Sequence, residues 1–90
     1  MDFAARRLTR AGHEVTLTAR EWAVLDVLAE RSGHVVPRSD VIHAAWPRPS
    51  AGASESLDVI VFRLRRKLGE GSGLRIRTLR GQGLVLETLA

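Results

Sequence analysis

The sequence predicts a small α+β domain: two short antiparallel strands lead, three helices follow, and a β-hairpin closes the chain. Three observations carry this. The stretch "LTAREWAVLDVLAERSG" (17–33) keeps helical apolar spacing between a capping box and a glycine. The stretch "LDVIVFRLRRKL" (57–68) puts Leu57, Val61, Leu64 and Leu68 on one stripe, with Ile60 at its edge. Finally, "LRIRTL" (74–79) and "LVLETL" (84–89) alternate apolar and polar residues about a glycine-rich "RGQG".

Taken in order, "AARRLTRAGHEVTL" (4–17) reads as a hairpin turning at Ala11-Gly12, where only glycine takes a left-handed backbone without strain. Val15 and Leu17 alternate with Glu14 and Thr16, the period of a half-buried strand. Asp2-Phe3 reads as the tail of an earlier strand. Thr18 caps the first helix and Glu21 completes the box, while Leu17 and Trp22 can form a hydrophobic staple. Trp22, Leu25, Leu28 and Ala29 form the core stripe, and Gly33 suits a left-handed C-terminal residue. "HVVP" (34–37) allows one bridge of sheet. "RSDVIHAAW" (38–46) is a second helix that stops before Pro47, because the residue preceding proline disfavours helical geometry. "PRPSAGAS" (47–54) is a loop. The third helix spans about 55–68 with Ser54 as its cap, and "GEGSG" (69–73) ends it.

Ninety residues make a single domain, 1–90. There is no cysteine, which removes disulfides, thiol nucleophiles and thiolate metal sites and fits a cytoplasmic setting. No run approaches 18 apolar residues and no signal peptide is apparent, so no membrane role is expected. Catalysis finds no footing. Ser39, Ser50 and Ser54 lack an elbow motif, and the G-x-G-x-G within "GEGSG" follows a helix rather than a strand. His13, His34 and His43 lack ligand spacing. The expectation is therefore no enzyme, no cofactor, no metal and no small-molecule substrate.

The formal charge of +4 is concentrated in one region. Residues 1–54 hold seven Arg against six Asp/Glu, a net of +1. Residues 55–80 hold six Arg and one Lys against Glu55, Asp58 and Glu70, a net of +4. A local basic excess points to a polyanion or to a solvated helix face. Opposite the leucine stripe, the third helix carries Val59, Phe62, Arg63 and Arg66. Helix, turn and basic helix followed by a hairpin is the logic of a helix-turn-helix with a wing. Arg63, Arg65, Arg66 and Lys67 lie on the helix, and Arg75, Arg77 and Arg80 on the hairpin. The expected partner is double-stranded DNA, bound for transcriptional regulation with helix 55–68 in the major groove and wing 74–89 toward the minor groove. An alternative stays open: a protein-docking module using the apolar patch around Phe62. A cationic helix lying on a membrane fits poorly, because the leucine stripe is needed for the core.

Four stretches also resemble, in order and spacing, the winged helix-turn-helix effector domain of OmpR/PhoB-type response regulators. "LTAREW" resembles the family's Leu-Thr-x-x-Glu-Phe helix. "GHVVPRSDVIHAAW" resembles its Gly-x-Val-Val turn and the second helix ending in Trp. "LDVIVFRLRRKL" resembles the recognition helix Val-Asp-Val-His-Ile-x-Arg-Leu-Arg-x-Lys-Leu, and "IRTLRGQGLVLE" resembles the wing.

The resemblance implies roles. Arg63 matches an arginine that reads bases, and Val59 an apolar contact to thymine methyls. Ser56 matches a small hydroxyl residue near the helix start. Arg65, Trp46 and Thr78 match phosphate contacts, and Arg80 the arginine that reaches the minor groove. Arg66 and Lys67 have no firm match and add field. Phe62, on the same face, is grouped with the DNA-contacting residues. Trp46 also reads as core. Several positions depart from the pattern: Ile60 for His, Phe62 for a polar or basic residue, Glu55 for an arginine, Leu84 for the wing tyrosine and Pro37 for a serine cap. The resemblance further implies a two-component system, head-to-tail pairing on direct repeats, and RNA polymerase contact through loop Pro47–Ala53. The family's receiver domain has no counterpart in these residues, so the chain reads as an effector fragment that is monomeric alone.

Overall fold

The computed structural model describes residues 6–48, 51–69 and 71–88. Its elements run β1 (Leu8–Arg10), β2 (His13–Val15), α1 (Ala19–Glu30), α2 (Arg38–Ala45), α3 (Ala53–Leu68), β3 (Leu74–Leu79) and β4 (Gly83–Thr88). This is the expected α+β order. The expected strand tail at Asp2-Phe3 lies outside the described residues.

β1 and β2 pair antiparallel, with Leu8 opposite Val15 and Arg10 opposite His13. Their turn corrects one expectation. Ala11 (φ 52°) is left-handed as well as Gly12 (φ 83°), the primed-turn backbone whose twist matches the flanking strands. A second contact holds Ala11 there. Its N–H donates to the carbonyl of Gly71 at 3.2 Å, and a Cβ on Gly71 would sit 2.6 Å from that nitrogen. The two turns thus pack backbone to backbone. Leu17 lies beyond β2 yet is buried, as a residue preceding the helix cap should be.

α1 begins as expected. Thr18 accepts from the Glu21 N–H at 3.2 Å, and the Glu21 carboxylate accepts from the Thr18 N–H at 2.7 Å. Val24, Leu25 and Leu28 are fully buried, and Gly33 takes φ 82° just beyond the helix end. α2 starts at Pro37 with no side-chain cap, and Arg31 pairs with Asp40 in its first turn at 3.2 Å.

α3 starts earlier than the expected 55. Its cap is Gly52, and Ser54 lies inside the first turn, where it caps nothing. Two contacts account for the extra turn. Ala53 is buried in the core, and Arg38 donates 2.9 Å bonds to both the carbonyl and the hydroxyl of Ser54. Arg38 also pairs with Asp58 at 2.9 Å, so one side chain clamps the start of α2 to the first turns of α3. Because Ala53 belongs to α3, the linker that was expected to span Pro47–Ala53 ends at Gly52, and residues 49 and 50 of it lie outside the described set.

The leucine stripe of α3 faces inward as its period predicts: Leu57, Val61, Leu64, Leu68 and Ile60 are all buried. Each fully buried leucine contributes about 1.5–3 kcal/mol. At the C-terminus, Arg10 donates to the Arg66 carbonyl at 2.7 Å, a cation placed where the helix dipole is negative.

β3 and β4 form the expected hairpin, with Ile76 opposite Leu86 and Thr78 opposite Leu84; β4 starts one residue earlier than expected, because Gly83 pairs with Leu79. Val36 makes the single expected bridge, exchanging 2.8 and 2.9 Å backbone bonds with Leu84. Gly83 makes this approach possible. It takes φ 150°, and a Cβ there would lie 2.1 Å from the Val36 carbonyl oxygen. The hairpin is therefore sewn to the segment between α1 and α2, and Leu84, Val85 and Leu86 are buried.

Candidate nucleic-acid interface

The outer face of α3 holds the two most exposed large apolar side chains among the described residues. Phe62 is 60% exposed and Val59 48%. Neither supplies much folding energy from that position, because burial free energy scales with area removed from water. Arg66 lies with its guanidinium carbon 5.8 Å from the centre of the Phe62 ring. Val59, Phe62, Arg63, Arg66 and Lys67 line one broad depression of about 520 Å³.

A second depression of about 280 Å³ adjoins it through Val59 and Arg63. Arg20, Trp46, Ser56 and Ile60 complete its lining. Three elements converge there: the first turn of α1, the residue closing α2, and the middle of α3. Trp46 is buried as expected of a core residue, yet its ring also forms the floor beneath Arg20, whose guanidinium carbon is 4.9 Å from the ring centre. The lining holds two arginines and no carboxylate. Ile60, at the position where the resemblance implied histidine, is a core residue at the edge of this floor.

Arg65 and Thr78 were both expected to contact phosphate. The structure joins them to each other: the Arg65 guanidinium donates to the Thr78 hydroxyl, and its Nε donates to the Ile76 carbonyl at 3.1 Å. Both side chains stay exposed, so one surface carries them, with Arg65 tying α3 to β3. Arg80 sits at the exposed tip of the hairpin, beside Gly81 (φ 75°).

The basic patch is smaller than its sequence count. Lys67 lies at the edge of the broad depression, but its ammonium bonds the buried Glu21 at 2.8 Å. Arg75 and Arg77 share Glu87, at 3.0 and 3.5 Å. Arg6, Arg7, Arg31 and Arg38 are each paired with a carboxylate elsewhere. Among the described residues, Arg63 and Arg80 have neither an ion pair nor a hydrogen bond, and Arg66 has only the Phe62 ring as its side-chain partner. The uncompensated charge therefore includes the outer face of α3 and the wing tip, alongside Arg10, Arg20 and Arg48, which have no carboxylate partner among the described residues either.

Sequence reasoning missed Glu21 as a buried charge and Arg20 as part of the groove. Glu21 is fully buried, with Oε1 bonded to Thr18 and Lys67 and Oε2 without a partner among the described residues. Burial pushes its carboxyl up. The bonds from Lys67 and Thr18 outweigh that and hold it below the usual carboxylate range. Arg20 left one sequence signal: a cation in the first turn of a helix, where the macrodipole disfavours it.

Residues 12–86 match the family model described as "Transcriptional regulatory protein, C terminal". The transcriptional regulatory protein CusR of Escherichia coli is 34% identical over 88 residues, covering 97% of this chain and 39% of that protein. The transcriptional regulatory protein PrrA of Mycobacterium tuberculosis is 39% identical over 87 residues, covering 96% of this chain and 37% of that protein. The chain thus spans about two fifths of the length of these curated relatives. Among solved structures, the DNA-binding domain of Escherichia coli CpxR superposes with a TM-score of 0.79 at 25% identity, covering 100% of this chain and 90% of that one. The Klebsiella pneumoniae RstA DNA-binding domain, solved in complex with the RstA box, gives 0.76 at 27% identity, covering 96% and 87%.

Proposed function

Since the chain belongs to the family of C-terminal domains of transcriptional regulatory proteins, the winged-helix DNA-binding effectors of OmpR/PhoB-type response regulators, we propose that α3 enters the major groove of double-stranded DNA while the β3–β4 wing reaches the adjacent minor groove. The observation that carries this reading is the sorting of charge. Among the described residues, seven cations are paired with carboxylates, while Arg63 and Arg66 stay uncompensated beside the apolar Val59 and Phe62, and Arg80 stays so at the wing tip. Arg63 is free to make two hydrogen bonds to guanine O6 and N7, and Val59 to meet a thymine methyl. Ser56, Trp46, Arg65, Arg66 and Thr78 surround these two and set register through phosphates. Phe62 lies against the groove wall beside Arg66. Arg80 enters the minor groove at a tip with little bulk.

The protein-docking reading is not favoured: the family is one of DNA-binding domains, and the RstA domain was solved on a DNA box. We extend the reading in three ways. Two copies bind head to tail on direct repeats, with the isolated chain monomeric. The loop Pro47–Ala53 contacts RNA polymerase, so that changes there alter transcription and not operator affinity. The setting is the cytoplasm, where a chromosomal partner would be met, and among the described residues no helix is long and apolar enough to cross a membrane.

The test is Arg63→Ala on a duplex selected from a random pool. The variant should lose about 1–3 kcal/mol on the selected site and much less on random DNA. Wild-type affinity should fall with salt at a log–log slope of roughly −4 to −5, as expected for about four to six neutralised phosphates. Equal loss on both DNAs refutes the assignment of Arg63 as a base reader, and a flat salt response overturns the DNA-binding reading in favour of protein docking.

A further inference from the structure

Arg20 stands where helix physics disfavours it. It is the second residue of α1, in the turn where backbone N–H groups already present positive charge. No carboxylate compensates it among the described residues. Its side chain is nevertheless held at two points: Nε donates to the Ala45 carbonyl at 3.2 Å, and the guanidinium carbon lies over the Trp46 ring, 4.9 Å from its centre. These two contacts leave both Nη groups without a hydrogen-bond partner among the described residues. A planar fork with one edge anchored and the other open, stacked on an aromatic floor, is pre-organised for an oxyanion, since little rotamer freedom remains to be lost.

The surroundings say which oxyanion. The open edge belongs to the depression shared with Ser56, Val59 and Arg63. Arg63 is the residue assigned above to base edges, so Arg20 lies at the border of that contact, on the α1–α2 side of α3. The groove holds no carboxylate to repel an anion and only one hydroxyl, from Ser56, among its polar neutral side chains. We propose that Arg20 is a phosphate clamp: its Nη groups bond a backbone phosphate of the strand flanking the major groove, and the Trp46 ring and Ala45 carbonyl fix its angle. This rests on the DNA-binding reading, to which it adds a contact from α1. It explains why a cation is kept in the first turn of a helix, and it gives buried Trp46 a second role as the platform beneath the clamp.

The experiment uses the 90-residue chain, a duplex it selects from a random pool, and the same duplex carrying single neutral methylphosphonates at successive positions. Arg20→Gln should weaken binding about three- to tenfold on selected and random DNA alike and reduce the salt slope by about 0.9, one phosphate's worth. One methylphosphonate position should weaken the wild type by a similar factor and leave Arg20→Gln unchanged. Arg20→Lys should keep the salt slope while losing part of the affinity, because an ammonium cannot bond Ala45 and phosphate together from a fixed plane. Thermal stability of Arg20→Gln should stay close to that of the wild type, because loss of the Ala45 bond and the Trp46 contact is offset by removing a cation from the positive end of α1. Unchanged affinity and slope would overturn the proposal. So would loss of affinity with every methylphosphonate effect still additive, or loss that tracks a fall in thermal stability. Failure of the wild type to select any duplex would instead remove the DNA-binding reading itself, and the clamp with it.

Discussion

Lys67 is one of four cations in the "RLRRK" run, yet replacing it should damage folding, and more than replacing its partner does. Glu21 is fully buried while the Lys67 side chain is 33% exposed, so the two sides of the pair are not equivalent. Lys67→Met leaves a carboxylate inside the core with only Thr18 to bond it, and breaking a buried pair in this sense costs about 3–5 kcal/mol. Glu21→Gln leaves an ammonium that can extend to water while the amide oxygen still accepts from Thr18, at a cost of about 1–2 kcal/mol. For a domain with a total stability of about 5–10 kcal/mol the difference is easily measured. Urea unfolding followed by fluorescence of the two buried tryptophans, Trp22 and Trp46, reads it directly. The pH dependence gives an independent check. In the wild type the Glu21 carboxyl is held below its ordinary range. Its stabilisation is therefore complete above the unfolded value of about 4.3 and is lost as pH falls through the lower folded value. In Lys67→Met, burial acts without the ammonium and raises the folded value. The contribution of Glu21 then inverts: stability is greatest in acid and declines as pH rises through the raised value. The double variant Glu21→Gln/Lys67→Met should be more stable than Lys67→Met alone. If Lys67→Met cost no more than Glu21→Gln, or if the two pH slopes had the same sign, the account of this pair would be wrong.

Gly83→Ala should destabilise the domain by about 2–4 kcal/mol, because the new Cβ meets backbone at Val36 rather than a movable side chain; faster amide exchange at Val36 and Leu84 would localise the damage to the bridge. Phe62→Arg should raise affinity for random DNA through added charge and lower the ratio of selected to random binding at fixed salt. A preserved ratio with lost pairing on tandem sites would place Phe62 in a protein contact. Arg80→Ala should hurt most on A/T-rich flanks, whose narrow minor groove concentrates negative potential, and uniform loss over all flanks would make Arg80 a phosphate anchor only.

Local rules carried the fold a long way. The capping box at Thr18 and Glu21, the leucine stripe of α3 and the existence of the C-terminal hairpin all follow from spacing over a few residues. Errors arose where a distant segment decided a local outcome. The left-handed Ala11 turn is backed by Gly71, whose carbonyl accepts from it, and α3 begins at Ala53, where Arg38 reaches across to Ser54. The outer face of α3 was legible for the same reason as its inner face: Val59, Phe62 and Arg63 fall opposite the leucines. Charge was legible only as a total. Which cations are spent on carboxylates depends on tertiary neighbours, and periodicity alone could not show that Lys67 turns inward to Glu21 or that Glu87 holds Arg75 and Arg77. Arg20 joins the site only because α1 and α2 meet beside α3.

The bonds from Arg65 to Thr78 and to the Ile76 carbonyl span the gap between α3 and the wing. With the Val36–Leu84 bridge on the facing strand, level with Thr78, they tie both strands of the wing to the helical body. If Arg63 and Arg80 read adjacent grooves, the interval between the two reads is set by the folded protein, as in a caliper with its jaws locked. Such a domain measures length as well as letters. A single base pair inserted between the two contacts rotates one of them by about a tenth of a turn of the duplex, and the wing cannot follow. Mismatches at either end should then be tolerated better than a change in their separation, and Arg65→Met should loosen the requirement for spacing while sparing the preference for sequence.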